Sequence, residues 1–133
     1  MSGLSHEEMT GWRNIAKLAL DYWGAKVISP PDYFVMNGEA SNEKEAFIFD
    51  THCVKKCDVL IVNMNKPDSI GTAQEVMLAY EYKKPIVMIA RKDKWDSIHP
   101  WYKIEATSVF FYEDYEDETA LFEEVANYVM IYE

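Results

Sequence analysis

The feature that most constrains the fold is an alternation between short apolar runs and longer stretches with helical character. The segments Asp58–Met64 and Pro85–Ala90 each contain consecutive apolar positions, which is typical of strands buried on both faces of a sheet. Ala25–Ser29 and Ser108–Tyr112 predict two further strands. Strands that alternate with helices pair in parallel, so we expect a parallel sheet of about four strands with helices on both faces.

The stretches between these strands predict helices. Their ranges are His6–Trp23, Asn42–Lys56, Thr72–Tyr82 and Glu116–Ile131. Gly24 is expected to end the first helix, because glycine adopts the left-handed conformation that closes helices, and the segment from Trp95 to Trp101 is expected to be a loop. With 133 residues in all, the chain predicts one domain, 1–133, of the flavodoxin-like or Rossmann-like α/β class. In such sheets a ligand binds beyond the carboxyl ends of the strands.

The composition excludes several classes of partner. The formal net charge of −10 argues against binding to a nucleic acid polymer, although a helix start can still hold a small anion. The apolar runs are too short to span a bilayer and the first residues carry no secretory signal, so we expect a cytoplasmic protein with no membrane partner. Cys53 and Cys57 are expected to be reduced thiols, and no metal or cofactor is expected.

The segment that ends at Glu75 lies between a buried strand and a helix, on the edge of the sheet where ligands bind. Gly71 permits a close backbone approach at this turn. Glu75 has two interpretations. Its spacing from Thr72 fits a capping box, in which the carboxylate accepts from the Thr72 backbone N–H, and spacing alone favours this interpretation. The alternative is a carboxylate that faces the ligand.

Asp50 also has two interpretations. It lies within a predicted helix, beside Phe47 and Phe49. It is either an ordinary exposed helix residue, which the spacing favours, or a carboxylate turned into the cleft.

The segment Asp68-Ser-Ile-Gly-Thr-Ala-Gln-Glu75, followed by an apolar helix and Lys84-Pro85, resembles the nucleoside 2-deoxyribosyltransferase family. Ser2-Gly-Leu-Ser5 is similar to the first loop of that family, and the resemblance runs from Met1 to about Trp101. It implies cleavage of the N-glycosidic bond of a 2′-deoxynucleoside or its 5′-monophosphate.

By this resemblance Glu75 is the nucleophile and Asp50 is the second catalytic residue. Glu75 would attack C1′ of the sugar and form a covalent glycosyl ester, while Asp50 handles the proton of the departing base. Water or a second base would then accept the sugar, as in retaining glycosidases.

The resemblance also implies a substrate-binding loop. Asp68, Ser69 and Gly71 match the loop that holds the 5′ end of the sugar, and Thr72 follows at the start of the helix. A serine at this position bonds the phosphate in the branch that hydrolyses monophosphates. An acidic residue bonds the 5′-hydroxyl in the branch that transfers deoxyribose between bases, and Asp68-Ser69 leaves both open.

His99 lies about where the family contributes a residue to a neighbouring subunit's site. The alternative is a loop histidine stacked near Trp95 or Trp101. Trp95, Trp101 and Tyr102 form an aromatic cluster, and aromatic residues are enriched in interfaces, so we expect a homodimer or a larger homo-oligomer.

The chain departs from the family at one point. The family begins with a Tyr-x-Ala-Gly-Pro strand, whereas this chain starts at Met1, where the loop after that strand should already be ending. Either the start is misassigned or the sheet is built without that strand. A non-catalytic nucleotide-binding module and a flavodoxin-like signalling domain therefore stand as alternatives to an enzyme.

Overall fold

The computed structural model of the protein describes residues 6–28, 40–65 and 70–132. Within these ranges three strands form one sheet in the order β1-β2-β3, where β1 is Leu60–Asn63, β2 is Ile86–Ala90 and β3 is Ser108–Phe111. Both pairings are parallel. The α/β class with a parallel sheet is confirmed.

Helices cover both faces of this sheet. The helices are α1 His6–Tyr22, α2 Ala40–Lys56, α3 Ile70–Glu81, α4 Lys92–Ser97, α5 Pro100–Glu105 and α6 Glu118–Val129. Short 3₁₀ turns follow at Tyr112–Asp114 and Met130–Tyr132. Helices α1 and α6 pack together on one face, while α2, α3 and α5 pack on the other.

The central strand β2 joins two hydrophobic cores. All five of its side chains are buried. Ile86, Met88 and Ala90 face the core beneath α2 and α3, and Val87 and Ile89 face the core beneath α1 and α6. Successive side chains of a strand point to opposite faces, so the continuous apolar run stabilises both layers at once. Each large side chain buried there contributes about 1.5–3 kcal/mol.

The predicted strand Ala25–Ser29 is wrong for the residues that the structure describes, 25–28. These residues belong to no strand, so the described sheet has three strands rather than about four. A cavity lies between residues 25–28 and the outer edge of β1, and both of them line it. Paired strands lie about 4.8 Å apart and exchange backbone hydrogen bonds, and within the described ranges no such pairing joins residues 25–28 to β1. Ser29 lies outside the described residues.

The segment predicted as a loop after β2 is helical instead. It forms α4 and α5, and Pro100 occupies the first turn of α5, where its missing N–H costs nothing. Trp95 packs against the core and meets Phe111 edge-on at 6.2 Å. Tyr102 is buried, and only Trp101 of the aromatic cluster is exposed. The cluster therefore does not form a single exposed aromatic patch.

Gly24 ends α1 as the sequence predicts. It has a φ of +85°, and the N–H of Ala25 donates to the carbonyl of Leu20 at 3.0 Å. This pattern satisfies a free carbonyl at the helix end through a residue in the left-handed region. The chain then leaves the helix and continues into residues 25–28, which line the cavity.

Candidate active site

A cavity of about 1040 Å³ lies beside the sheet, on the outer side of β1. Its walls are α1, α2, the first turns of α3, the start of β1 and residues 25–28. This volume is at the upper end of the range of about 300–1,000 Å³ found for small-molecule sites. The volume is thus large enough for a small-molecule ligand.

A polar network ties together the carboxyl ends of the three strands. The Asn63 Oδ1 accepts from the Asn65 N–H at 3.0 Å, and the Asn63 Nδ2 donates to the Tyr112 hydroxyl at 3.1 Å. The Asn65 Oδ1 accepts from the Arg91 N–H at 2.8 Å. None of these four residues lines the cavity. The edge above β2 and β3 is thus held by internal bonds, and the cavity opens beside β1 instead.

Asp50 lies on the inner face of α2. Ala46 and Val54, one helical turn away on either side, are only 3% and 4% exposed. Residues four apart share a helix face, so Asp50 is directed inward, where it lines the cavity and its Oδ1 is buried. The interpretation of Asp50 as an exposed helix residue is wrong. The spacing of Ala46, Asp50 and Val54 was the sequence signal for this placement.

Glu75 also lines the cavity. Helix α3 begins at Ile70, so Thr72 is already within the helix and Glu75 lies in its second turn. A capping residue precedes the helix and has non-helical backbone angles. The capping-box interpretation, which needs Thr72 at that position, is therefore wrong.

The side chains of Asp50 and Glu75 are joined by a hydrogen bond. Burial, the charge of Asp50 and this hydrogen bond together raise the pKa of Glu75 from its ordinary 4.5 to about 7, and the positive charge of Arg13 partly opposes the rise. Two carboxylates in contact cannot both ionise easily, so such a pair holds one proton near neutral pH. An acid and a carboxylate are thereby available in one cavity.

The other predicted substrate residues fall in three places. Gly71 and Thr72 line the cavity in the first turn of α3, next to Glu75. Asp68 and Ser69 lie outside the described residues.

His99 is exposed and does not line the cavity. Its Nδ1 accepts from the Trp101 N–H at 3.2 Å, and the two rings meet edge-on at 5.5 Å. His99 thus lies beside Trp101, as the alternative interpretation predicts, although the two rings meet edge-on rather than stacked. Its role toward a neighbouring subunit stays a prediction.

Sequence reasoning missed the positively charged residues of the cavity wall, among them Arg13 and Lys17 of α1. Both are partly buried on α1 and line the cavity together with Ala16 and Leu20. The signal was present in the helical period, since Arg13 and Lys17 flank the buried positions of the same face. Charged residues on that face indicate a polar wall rather than a fully apolar core.

Cys53 of α2 and Cys57, the residue that follows the helix, both line the same cavity, and neither forms a disulfide. Burial is the main cause that raises the pKa of both thiols, which keeps them protonated and weakly nucleophilic. Across residues 6–28, 40–65 and 70–132, no group of three or more His, Cys, Asp or Glu side chains is placed to hold a metal ion.

Comparison of the chain with protein-family models, curated proteins and solved structures finds no match. None of the helices in the described ranges combines the length and apolar character that a membrane span requires.

Proposed function

We propose that the protein is a cytoplasmic enzyme that cleaves the N-glycosidic bond of a 2′-deoxynucleoside or its 5′-monophosphate. Glu75 is the nucleophile, and the deoxyribose passes to water or to a second base. Asp50 acts as the proton donor and acceptor.

The observation that carries this proposal is the hydrogen-bonded pair of Asp50 and Glu75 in one large cavity. The two residues lie on different helices, α2 and α3, which are separated along the chain by β1. Hydrogen-bonded carboxyl groups lie closer together than the roughly 5–5.5 Å typical of retaining glycosidases. The substrate must therefore enter between them and replace this bond with contacts to C1′ and the base.

The pair supports a double displacement because it holds both a nucleophile and a proton. The Glu75 carboxylate attacks C1′, the C1′–N bond breaks, and its electron pair leaves with the base. Asp50, which receives the shared proton through the hydrogen bond with Glu75, donates that proton to the base. A proton is thus transferred between the carboxyl groups as the substrate binds.

The second displacement releases Glu75. Water or another base attacks C1′ and gives up a proton to the Asp50 carboxylate, and the ester bond to Glu75 breaks with its electrons returning to the carboxylate. The pair again holds one proton. Arg13 favours the ionised form of Glu75, which is the form needed for attack.

The test is release of free base from a panel of deoxynucleosides and their 5′-monophosphates, measured by chromatography. The parent protein is expected to release base, and the variant Glu75→Gln is expected to release none. Glu81→Gln is the matched control, because Glu81 is an exposed glutamate of the same helix. Binding without base release by the parent would instead identify a non-catalytic nucleotide-binding module.

A further inference from the structure

The chain has two cysteines, Cys53 and Cys57, and both line the cavity beside β1. Cys57 follows the last residue of α2, and its N–H donates to the carbonyl of Cys53 at 2.8 Å. An N–H that donates to the carbonyl four residues earlier is the repeating bond of the α-helix, so the helical path continues through Cys57. The two side chains therefore lie on one face, one helical turn apart.

The thiol of Cys57 is turned back toward the turn that contains Cys53. Its Sγ donates to the carbonyl of Val54 at 3.2 Å, and the two thiols are close enough to interact electrostatically. Both cysteines are partly exposed, and neither forms a disulfide. A ligand that enters the cavity can thus meet both residues.

The spacing of the two thiols fits a bridging metal ion better than a disulfide. Side chains one turn apart on a helix have Cβ atoms about 5–6 Å apart, whereas a disulfide requires about 3.5–4.5 Å. With metal–sulfur bonds of about 2.3 Å, two sulfurs on opposite sides of one ion lie roughly 4.6 Å apart. Rotation of the side chains between staggered χ1 positions can bring the sulfurs to this separation, so the helix need not unwind.

The softness and the number of the ligands indicate the class of ion. Thiolates are soft ligands that favour Cu(I) and Zn²⁺ over hard ions such as Mg²⁺ and Ca²⁺. A structural Zn²⁺ needs four ligands, and within residues 6–28, 40–65 and 70–132 the pair is not part of any group of three or more potential ligands. A soft monovalent ion such as Cu(I) is satisfied by two thiolates in a linear arrangement. The pair therefore suits Cu(I) better than Zn²⁺.

The charges around the pair are compatible with such a complex. One Cu(I) with two thiolates carries a single negative charge. Lys84 is close enough to Cys57 for its positive charge to favour a thiolate there, and its effect is larger than the opposing effect of Asp58. Asp50 disfavours a thiolate at Cys53, and a cation bound to the sulfur offsets that repulsion.

We propose that Cys53 and Cys57 form a binding site for a soft monovalent metal ion of the Cu(I) class. Binding replaces two thiol protons by one ion: two S–H bonds break, two metal–sulfur bonds form and two protons are released. No oxidant or reductant takes part in this step. The inference rests on the thiols at the end of α2 and does not depend on the proposed cleavage of nucleosides.

The experiment titrates Cu(I) into the reduced parent protein without oxygen, in competition with a chromophoric Cu(I) chelator. We expect one ion per chain and protection of both thiols from alkylation by N-ethylmaleimide. Cys53→Ser and Cys57→Ser should each weaken binding by more than the roughly 10–100-fold that loss of an outer-shell partner costs, because each removes one of two ligands. Cu(I) should also raise the melting temperature of the parent and not that of the variants.

The matched control keeps the number of thiols and changes only their spacing. Lys55 is an exposed residue of α2 that does not line the cavity. The double variant Cys57→Ser, Lys55→Cys still has two thiols, but residues two apart on a helix do not face each other. It should bind Cu(I) as weakly as Cys57→Ser alone.

Two results would overturn the inference. One is a parent protein that loses Cu(I) to an equal concentration of chelator and whose thiols gain no protection from alkylation; this measurement needs no variant. The other is full affinity in the double variant, which would mean that any two thiols of the chain suffice and that their position on one helix face is irrelevant.

Discussion

The substitution Glu75→Gln is expected to make the protein more stable above neutral pH, even though it removes the proposed nucleophile. The folded protein keeps the proton of Glu75 up to a pKa of about 7, whereas the unfolded chain releases it at about the ordinary 4.5. Between these values the folded state binds more protons, so stability is greatest below pH 4.5 and falls as pH rises to about 7. Glutamine does not titrate, and its amide can still donate to Asp50.

The size of the effect follows from the two pKa values. A rise from 4.5 to about 7 corresponds to a total of about 3 kcal/mol at high pH, at about 1.4 kcal/mol per pKa unit. Part of this penalty is already present at pH 5, so the change between pH 5 and pH 8 is about 2.5 kcal/mol. For a domain of this size that corresponds to a difference of roughly 10 °C in melting temperature.

Urea unfolding of the parent and of Glu75→Gln at pH 5 and pH 8 measures this difference. The stability of the variant relative to the parent should rise by about 2.5 kcal/mol between the two pH values. Glu81→Gln neutralises an exposed glutamate of the same helix. Its difference in stability from the parent should therefore be nearly the same at both pH values. If the stability difference between Glu75→Gln and the parent is also the same at both pH values, the pKa of Glu75 is not raised by its surroundings and the reasoning is refuted.

Three further predictions concern the pair, the helix end and the assembly. The kcat/KM for base release should fall as pH rises through about 7, because the pair then loses the proton that Asp50 donates to the base; a rate that rises through this pH range would contradict the shared-proton mechanism. Gly24→Ala should lower the free energy of unfolding by about 1 kcal/mol, because Gly24 has a φ of +85°, which alanine adopts only with strain. Calorimetry of the melting transition measures this loss. The protein is expected to form a homodimer or larger assembly, with Trp101 and Ile104, which are 62% and 67% exposed, as contact residues; a monomer at high concentration in sedimentation equilibrium would reject that.

The sequence predicts the parts of this fold whose signal is local. The strands around Leu60–Asn63 and Ile86–Ala90 and the end of α1 at Gly24 agree with the apolar runs and with the glycine. The strand at Ala25–Ser29 failed because a strand needs a partner at bonding distance, and partner distance is a property of the whole fold. Nothing in the sequence of this short run indicates that residues 25–28 line a cavity.

In the candidate site, too, local sequence patterns do not predict the features that depend on the whole fold. Spacing favoured a capping role for Glu75 because the pattern Thr72-x-x-Glu75 does not reveal that α3 starts two residues earlier, at Ile70. The prediction of an exposed Asp50 is wrong because Ala46 and Val54, one turn away on either side, are buried and place Asp50 on the inner face of α2. The family resemblance predicted that Asp50 and Glu75 act in one site. The hydrogen bond between them and the nearby positive charge of Arg13 come from the structure.

The position of the cavity beside β1 has a consequence for how its lining tolerates sequence change. The N–H groups of Leu60 and Met64 donate toward β2, to the carbonyls of Pro85 and Ile89. Backbone direction alternates along a strand, so the N–H and C=O groups of Ile61 point to the opposite side, where the cavity lies. These polar groups belong to the main chain and are present with any side chain, proline excepted, since it removes the N–H. Substitutions at Ile61 can therefore reshape this wall of the cavity while its hydrogen-bonding capacity persists.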